Sequence, residues 1–403
     1  MDIVTFKNKE GHDLHGKMEF PVSLNPHNFA IFAHCFTCNK NFHAVKNICN
    51  ALTTKGFGVL RFDFTGLGES EGDFGDTNFS GNVEDLISAA EFLKNTYQAP
   101  TLIIGHSLGG AAAYFAASKL PEVKAVATIG APSDISHVRH LLKEKLEEIK
   151  SEGSATVNIG GRPFSIKKHF LEDLEKKELQ HLLPELGKAV LIFHSPQDSV
   201  VGIVNAEELY RAAKHPKSFI SLDGGDHMIS KKEDSVYVGE MIGTWAGRYL
   251  DVPEEEELKT EHEVAAFLGP EGYTTIIKAG HHEFLADEPI SVGGKDLGPT
   301  PYELLSAGLA SCTSMTIQMY ARNKGWKIEK VETHINYNKD YATDCLHCDD
   351  QEAKIDTFRR EIVVKGELTQ HQLDRILIIA DKCPVHKTLH TPTQIITNLK
   401  ELK

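Results

Sequence analysis

The sequence predicts an α/β first domain built on a mostly parallel sheet, followed by an α+β second domain with a long central helix. Three observations carry this. A chain of 403 residues exceeds what one compact core organises. Up to Leu250, short continuous apolar runs alternate with helical patterns, as strands covered on both faces do. The acidic stretch DVPEEEELKTEHEV, which lacks aromatic residues, then separates that half from a differently patterned one. We therefore divide the chain into 1–252, a linker at 253–262 and 263–403.

In chain order, PHNFAIFAHCF reads as a strand feeding a loop, and GFGVLRFDF as a second strand before the turn TGLGES. The segment Val83 to Asn95 has helical spacing. APTLIIGHS, VKAVATIG, KAVLIFHS and KSFISLDG supply further strands, and VYVGEMIGTWAGRYL the last helix of the domain. Residues 134–187 break the alternation. There HVRHLLKEKLEEIK and KKHFLEDLEKKELQHLL are helical, with SEGSATVNIGGRPFS as a turn-rich link, which suits a small cap or an elaborated crossover. The second domain opens with strand-like material and the glycine-rich VGGKDLGPTPYE. A long helix from Glu303 to Lys324 follows, then strands around VETHINYN and FRREIVVKGEL and a helix around LDRILIIADKCPVHKTL.

The balance of charge excludes some partners. Forty-three basic against 57 acidic residues give a net charge of -14, which disfavours nucleic acid and anionic membranes. The opening MDIVTFKNKEGHDLHG has no basic leader before an apolar stretch, and no apolar run reaches membrane-spanning length. The seven cysteines are an odd number in a large chain, unlike a secreted disulfide scaffold, so a cytoplasmic protein with reduced thiols is expected.

GHSLGG sits where an apolar strand meets a helix, and Gly105, Ser107 and Gly109 fit the G-x-S-x-G elbow. The turn is so sharp that the residues flanking the serine must nearly lack side chains. That exposes the Ser107 hydroxyl and aims the Leu108 N–H at a developing oxyanion. Asp198, in PQDSVV, and His227, in GDH, each follow a later strand, in the order Ser, Asp, His. His227 is the expected general base and Asp198 its orienting acid, with Asp226 as the rival for that role. The second oxyanion donor is expected from Phe36 in AHCFTC, with Cys35 as the alternative. Cys35 and Cys38 form a C-x-x-C pair that redox chemistry or half a metal site would also use; no matching pair stands in this domain, and the oxyanion loop already gives the segment a role. The glycines of TGLGES do not form a dinucleotide-binding fingerprint, and no G-K-[ST] closes a phosphate loop.

HCF, RFDFTGLGES, GHSLGG, HSPQDSVV and GGDH together resemble the α/β-hydrolase superfamily, over roughly Phe6 to Leu250. The resemblance implies hydrolysis of an ester, thioester, amide or similar carbonyl bond, without a cofactor; HCFT in place of the HGGG-type loop of many lipases, with no large hydrophobic lid evident, points to a small ester, thioester or related acyl substrate. In the second domain, GKDLGPTPYELLSAGLASCT and ADKCPVHKTL resemble the OsmC/Ohr thiol peroxidases, over about Gly280 to Leu389. That resemblance implies reduction of organic hydroperoxides, with Cys312 attacking, Cys383 resolving, a dithiol reductant to restore them, and an intertwined homodimer. Glu303 matches the acidic position that orients the family's arginine, yet no arginine stands between Asp251 and Ala321. The positive charge would then come from Lys295, His281, His282 or, through a dimer, Arg359 or Arg360. The alternative is a non-catalytic dimerisation or hydrophobic-ligand module. Cys345 and Cys348, flanking His347 in DCLHC, read as a packed or exposed thiol pair before a metal site.

Overall fold

Strands buried on both faces need helices on both sides, and the first half of the chain supplies them. A computed structural model describes residues 2–22, 25–36, 38–135, 142, 145–159, 162–174, 179–252, 258, 260–270, 272–341 and 354–399. The chain divides into two compact units, Met1–Lys259 and Thr260–Lys403.

In the first unit the strands are β1 (Asp2–Lys7), β2 (Asp13–Glu19), β3 (Asn28–Ala33), β4 (Phe57–Phe62), β5 (Leu102–His106), β6 (Ala125–Ile129), β9 (Ala189–His194) and β10 (Lys217–Ser221). They form one eight-stranded sheet in the order β1-β2-β4-β3-β5-β6-β9-β10. β1 and β2 are antiparallel, as are β2 and β4; every pairing from β4 to β10 is parallel. The β1–β2 hairpin escapes a reading by apolar runs because β1 buries only Phe6.

Side-chain alternation along the strands sorts the core into two layers. Phe29, Ile31 and Ile103 face the layer that includes α2 (Phe79–Thr96) and α3 (Leu108–Lys119). Ala30, Phe32 and Ile104 face the layer that includes α1 (His43–Thr53) and α8 (Lys232–Ala246). The α1–α8 crossing is close because a methyl group at Gly239 would stand 2.8 Å from the Ile48 carbonyl.

The insert between β6 and β9 differs from its sequence reading. It holds α4 (Leu146–Glu152), β7 (Ser154–Ile159), β8 (Arg162–Lys167), α5 (Lys168–Leu174) and α6 (Leu179–Leu182), and α7 (Val204–Ala212) follows β9. The expected turn-rich link is an antiparallel β7–β8 hairpin. Ala155, Val157 and Ile166 point to one side at period two and join the first core layer.

The second unit has a three-stranded antiparallel sheet of β11 (Val264–Leu268), β12 (Thr275–Ala279) and β13 (His282–Ala286). β14 (Ile328–Tyr341) and β15 (Lys354–Gly366) form a long hairpin. α9 (Pro301–Asn323), α10 (Gln370–Ala380) and α11 (Pro384–His390) complete it. α9 starts with a capping box: the Thr300 hydroxyl accepts from the Glu303 N–H, and the Glu303 carboxylate accepts from the Thr300 N–H. Its 23 residues bury only Leu309, Thr313, Ile317 and Ala321.

Candidate active site

The turn from β5 into α3 places Ser107 at φ 54, the left-handed region that a serine enters only when its surroundings hold it there. The packing demands glycine on either side. A methyl group at Gly105 would lie 2.4 Å from the Gly109 carbonyl, and one at Gly109 the same distance from the His34 carbonyl. The elbow thus presses directly on the loop that carries Cys35 and Phe36.

Three side chains from three strand ends converge. His227 Nε2 lies 3.0 Å from Ser107 Oγ, and its Nδ1 lies 2.7 Å from Asp198 Oδ2. Asp198 Oδ1 accepts from the Val200 and Val201 N–H groups, at 2.8 and 2.9 Å. Burial works to raise the Asp198 pKa, but the hydrogen bond and charge of His227 and those N–H groups outweigh it, holding the carboxylate below its usual range. The Asp226 carboxylate accepts from the Ser230 N–H and lies exposed.

Several residues to which the sequence reading gives no role support the site. His106 Nε2 lies 2.7 Å from the His227 carbonyl oxygen. Burial, followed by repulsion from His227, pushes the His106 pKa to about 3, so the ring is neutral and Nε2–H donates. His194 holds the acid loop through the Val201 carbonyl at 2.7 Å. Ser195 Oγ donates to the Gly225 carbonyl at 2.6 Å, tying the acid loop to the histidine loop. Gly130, at φ +57, leaves room for the pair: a methyl group there would stand 3.3 Å from both Asp198 Oδ2 and His227 Nδ1.

Leu108 opens α3, so its N–H stands in the first turn, where no intrahelical acceptor exists. Phe36 is buried, its ring centroid 5.1 Å from that of Phe74 and 5.3 Å from that of Phe170 in the insert. Cys35 and Cys38 correct an expectation, because they are joined in a disulfide rather than reduced. The Cα atoms lie 5.2 Å apart across a turn closed by the Cys38 N–H and the Cys35 carbonyl, a separation that suits a crosslink whatever the chain's average composition. With His106 they form a buried group whose potential ligand atoms lie within 4.8 Å of one another, but sulfurs bonded to each other are not thiolate ligands.

In the second unit, Cys312 on α9 and Cys383, the residue before α11, share a hydrogen bond. Burial works to raise both thiols. Cys383 nevertheless falls below its ordinary value, because the Cys312 S–H, the His386 N–H and the Thr313 hydroxyl hold its thiolate. Cys383 is fully buried, whereas Cys312 is partly exposed. Arg360 on β15 donates to Thr313 Oγ1 at 3.1 Å and to the Ala380 carbonyl at 3.2 Å, and pairs with Asp381 at 2.6 Å. Within the same chain, Arg360 thus reaches the Thr313 hydroxyl that also bonds Cys383. Glu303 is occupied by the capping box. Cys345, His347 and Cys348 lie outside the described residues.

Known proteins resemble both units. Residues 29–181 match the family model described as serine aminopeptidase, S33, and residues 293–398 match that described as OsmC-like protein. The solved esterase domain from a Rhodothermus marinus protein is 52% identical, with a TM-score of 0.53; the match covers 62% of this chain and 99% of that one. The mouse palmitoyl-protein thioesterase ABHD10, mitochondrial, is 28% identical over 200 residues, 47% of this chain and 65% of its own length. The chain thus spans somewhat less than two thirds of that relative. The uncharacterized protein YfhR of Salmonella typhi is 24% identical over 233 residues, covering 56% of this chain and 74% of its own.

Proposed function

From the premise that this chain belongs to the α/β-hydrolases through its first unit and to the OsmC-like proteins through its second, we propose that it hydrolyses small ester or thioester substrates at Ser107. The observation that carries the reading is the unbroken hydrogen-bonded line from Ser107 Oγ through His227 to Asp198. Ser107 Oγ attacks the acyl carbon and its proton passes to His227 Nε2. The tetrahedral oxyanion takes hydrogen bonds from the Leu108 and Phe36 N–H groups. On collapse, the proton goes to the departing alcohol or thiol, and water repeats the sequence to free the acid. His106 and Asp198 act through His227 as positioning groups.

The thiol pair of the second unit supports a second activity, reduction of organic hydroperoxides. The resting hydrogen bond keeps the proton on Cys312 and the charge on Cys383, so the partly exposed Cys312 becomes the nucleophile by passing that proton to Cys383 as it meets the peroxide. Its thiolate takes the terminal oxygen, releasing an alcohol and leaving a sulfenic acid. The Cys383 thiol condenses with it, water departs and a disulfide remains for a dithiol reductant. The same unit leaves Met315 and Met319 each 64% exposed on α9, a face that a homodimer would cover. Among the described residues no helix is long and apolar enough to cross a membrane.

The test compares wild type with Ser107→Ala on short-chain p-nitrophenyl esters and on an acyl-thioester, with fluorophosphonate labelling mapped by mass spectrometry. Label on Ser107, and a rate reduced by roughly 10³-fold or more in the variant, is expected. Full activity in Ser107→Ala overturns the assignment.

A further inference from the structure

The loop between β3 and α1 carries a chemical group that hydrolysis does not use. We propose that Cys35 and Cys38 form a redox-active dithiol–disulfide couple in the oxyanion loop, and that its oxidation state sets the rate of hydrolysis at Ser107. The second half of this statement rests on the hydrolase reading above; the first does not.

Four observations support it. The crosslink is a weak stabiliser, because closing so short a loop removes little freedom from the unfolded chain. The loop is also already held at both ends without the sulfurs. On one side His34 Nδ1 lies 2.7 Å from the Cys35 carbonyl. On the other, the buried Lys40 gives its N–H to Asp63 at 2.6 Å and its ammonium to Asp63 and Glu69 at 2.5 Å, while Arg61, paired with Glu19, donates to the Lys40 carbonyl. What the disulfide does fix is the backbone between those anchors, at Phe36. Finally, the sulfurs lie within 4.8 Å of a nitrogen of His106, whose Nε2–H holds the His227 carbonyl. The state of the sulfurs thus bears on the oxyanion donor through the chain and on the general base through one imidazole.

The chemistry closes on itself. A thiolate of a small dithiol attacks one sulfur, giving a mixed disulfide and one loop thiol. The reagent's second thiol displaces the other sulfur, leaving two loop thiols and an oxidised reagent. For the return, a loop thiolate takes the terminal oxygen of an organic hydroperoxide, releasing an alcohol. The resulting sulfenic acid condenses with the second thiol and expels water. A hydroperoxide is also the oxidant proposed for Cys312, so one class of molecule acts on both units. The serine, histidine and aspartate are aligned with the disulfide in place, and the oxidised form is the faster hydrolase. Both cysteines are buried, so exchange waits on opening of the loop.

The test uses the full chain carrying Cys312→Ser, Cys383→Ser, Cys345→Ser and Cys348→Ser, so that no other thiol pair responds. It is equilibrated in graded mixtures of reduced and oxidised dithiothreitol, with a chelator present, and sampled in parallel. Alkylation and peptide mass give the fraction of Cys35–Cys38 crosslink, and p-nitrophenyl butyrate gives the rate. We expect the rate to fall at least threefold as the crosslink is lost, with one midpoint for both readings, and to recover on reoxidation. Adding Cys35→Ser with Cys38→Ser should make the rate indifferent to the buffer, with folding checked by circular dichroism. A rate that stays flat while the crosslink titrates, or a crosslink that never forms or never opens in the folded protein, overturns the proposal. Absence of hydrolysis in both states would instead overturn the hydrolase reading, and the mass titration by itself would then decide whether the couple exists.

Discussion

Gly130 offers a clean test of how the acid–base pair is held. Its φ of +57 is the left-handed region, where a Cβ costs about 1–2 kcal/mol. The added methyl would also stand 3.3 Å from Asp198 Oδ2 and His227 Nδ1, so these two must give by a few tenths of an ångström. A misplacement of about 1 Å in a catalytic group can cost roughly 100-fold in rate, so a third of that predicts a loss of about fivefold. Gly130→Ala should therefore lower the melting temperature by about 2–8 °C and kcat/KM by about three- to tenfold. Gly153 provides the control: its φ is +83, but nothing lies within 4 Å of the position its Cβ would take. Gly153→Ala should lose similar stability and keep its rate. Calorimetry and steady-state hydrolysis of a short-chain ester read the two effects. A Gly130→Ala enzyme within twofold of wild type, or an equal rate loss in Gly153→Ala, refutes the reasoning.

Acid should weaken the first unit through its buried neutral histidines. The folded pKa of His106 is about 3, below the unfolded value near 6.5, so its contribution is complete above about pH 6.5 and is lost as pH falls toward 3. His194 and His34 shift in the same direction, each chiefly through burial. Each such group adds a slope of at most about 1.4 kcal/mol per pH unit. His106→Gln, which keeps a donor for the His227 carbonyl, should flatten the dependence of melting temperature between pH 7 and 5; an unchanged slope counts against it. In the second unit, Arg360→Lys should slow the reaction of the thiols with an organic hydroperoxide by roughly tenfold, because an ammonium cannot span Thr313, the Ala380 carbonyl and Asp381 together. Stopped-flow peroxide consumption reads this, and wild-type kinetics would remove Arg360 from the site. Met315→Asp with Met319→Asp should convert a dimer to monomer in sedimentation velocity, and an unchanged mass would place the interface elsewhere.

The parallel core of the first unit is legible because its strands bury both faces and so read as unbroken apolar runs. The same logic hides the elements with one wet face. β1 offers Phe6 as its single buried side chain, and its polar neighbours mask the strand. In the insert, glycine and serine around β7 and β8 suggest a turn, while the period-two placement of Ala155, Val157 and Ile166 that makes the hairpin is too short to stand out.

The serine elbow is legible for a steric reason, since the sharp turn fixes glycine at neighbouring positions in the chain. Asp198 and His227 are legible because each follows a strand end. The residues that escape a sequence reading act across space. Gly130 matters because of two atoms on distant loops, His106 because its ring reaches a carbonyl 121 residues away. His106 stands next to Ser107 and therefore looks like part of the motif, yet its bond is to the backbone of the histidine loop. Any substitution that frees this ring acts on His227 first, so its kinetic signature should be that of a misplaced base and not that of a lost nucleophile. The Cys35–Cys38 crosslink follows the same rule: composition and compartment argue for thiols on average, but the turn that closes the oxyanion loop decides locally.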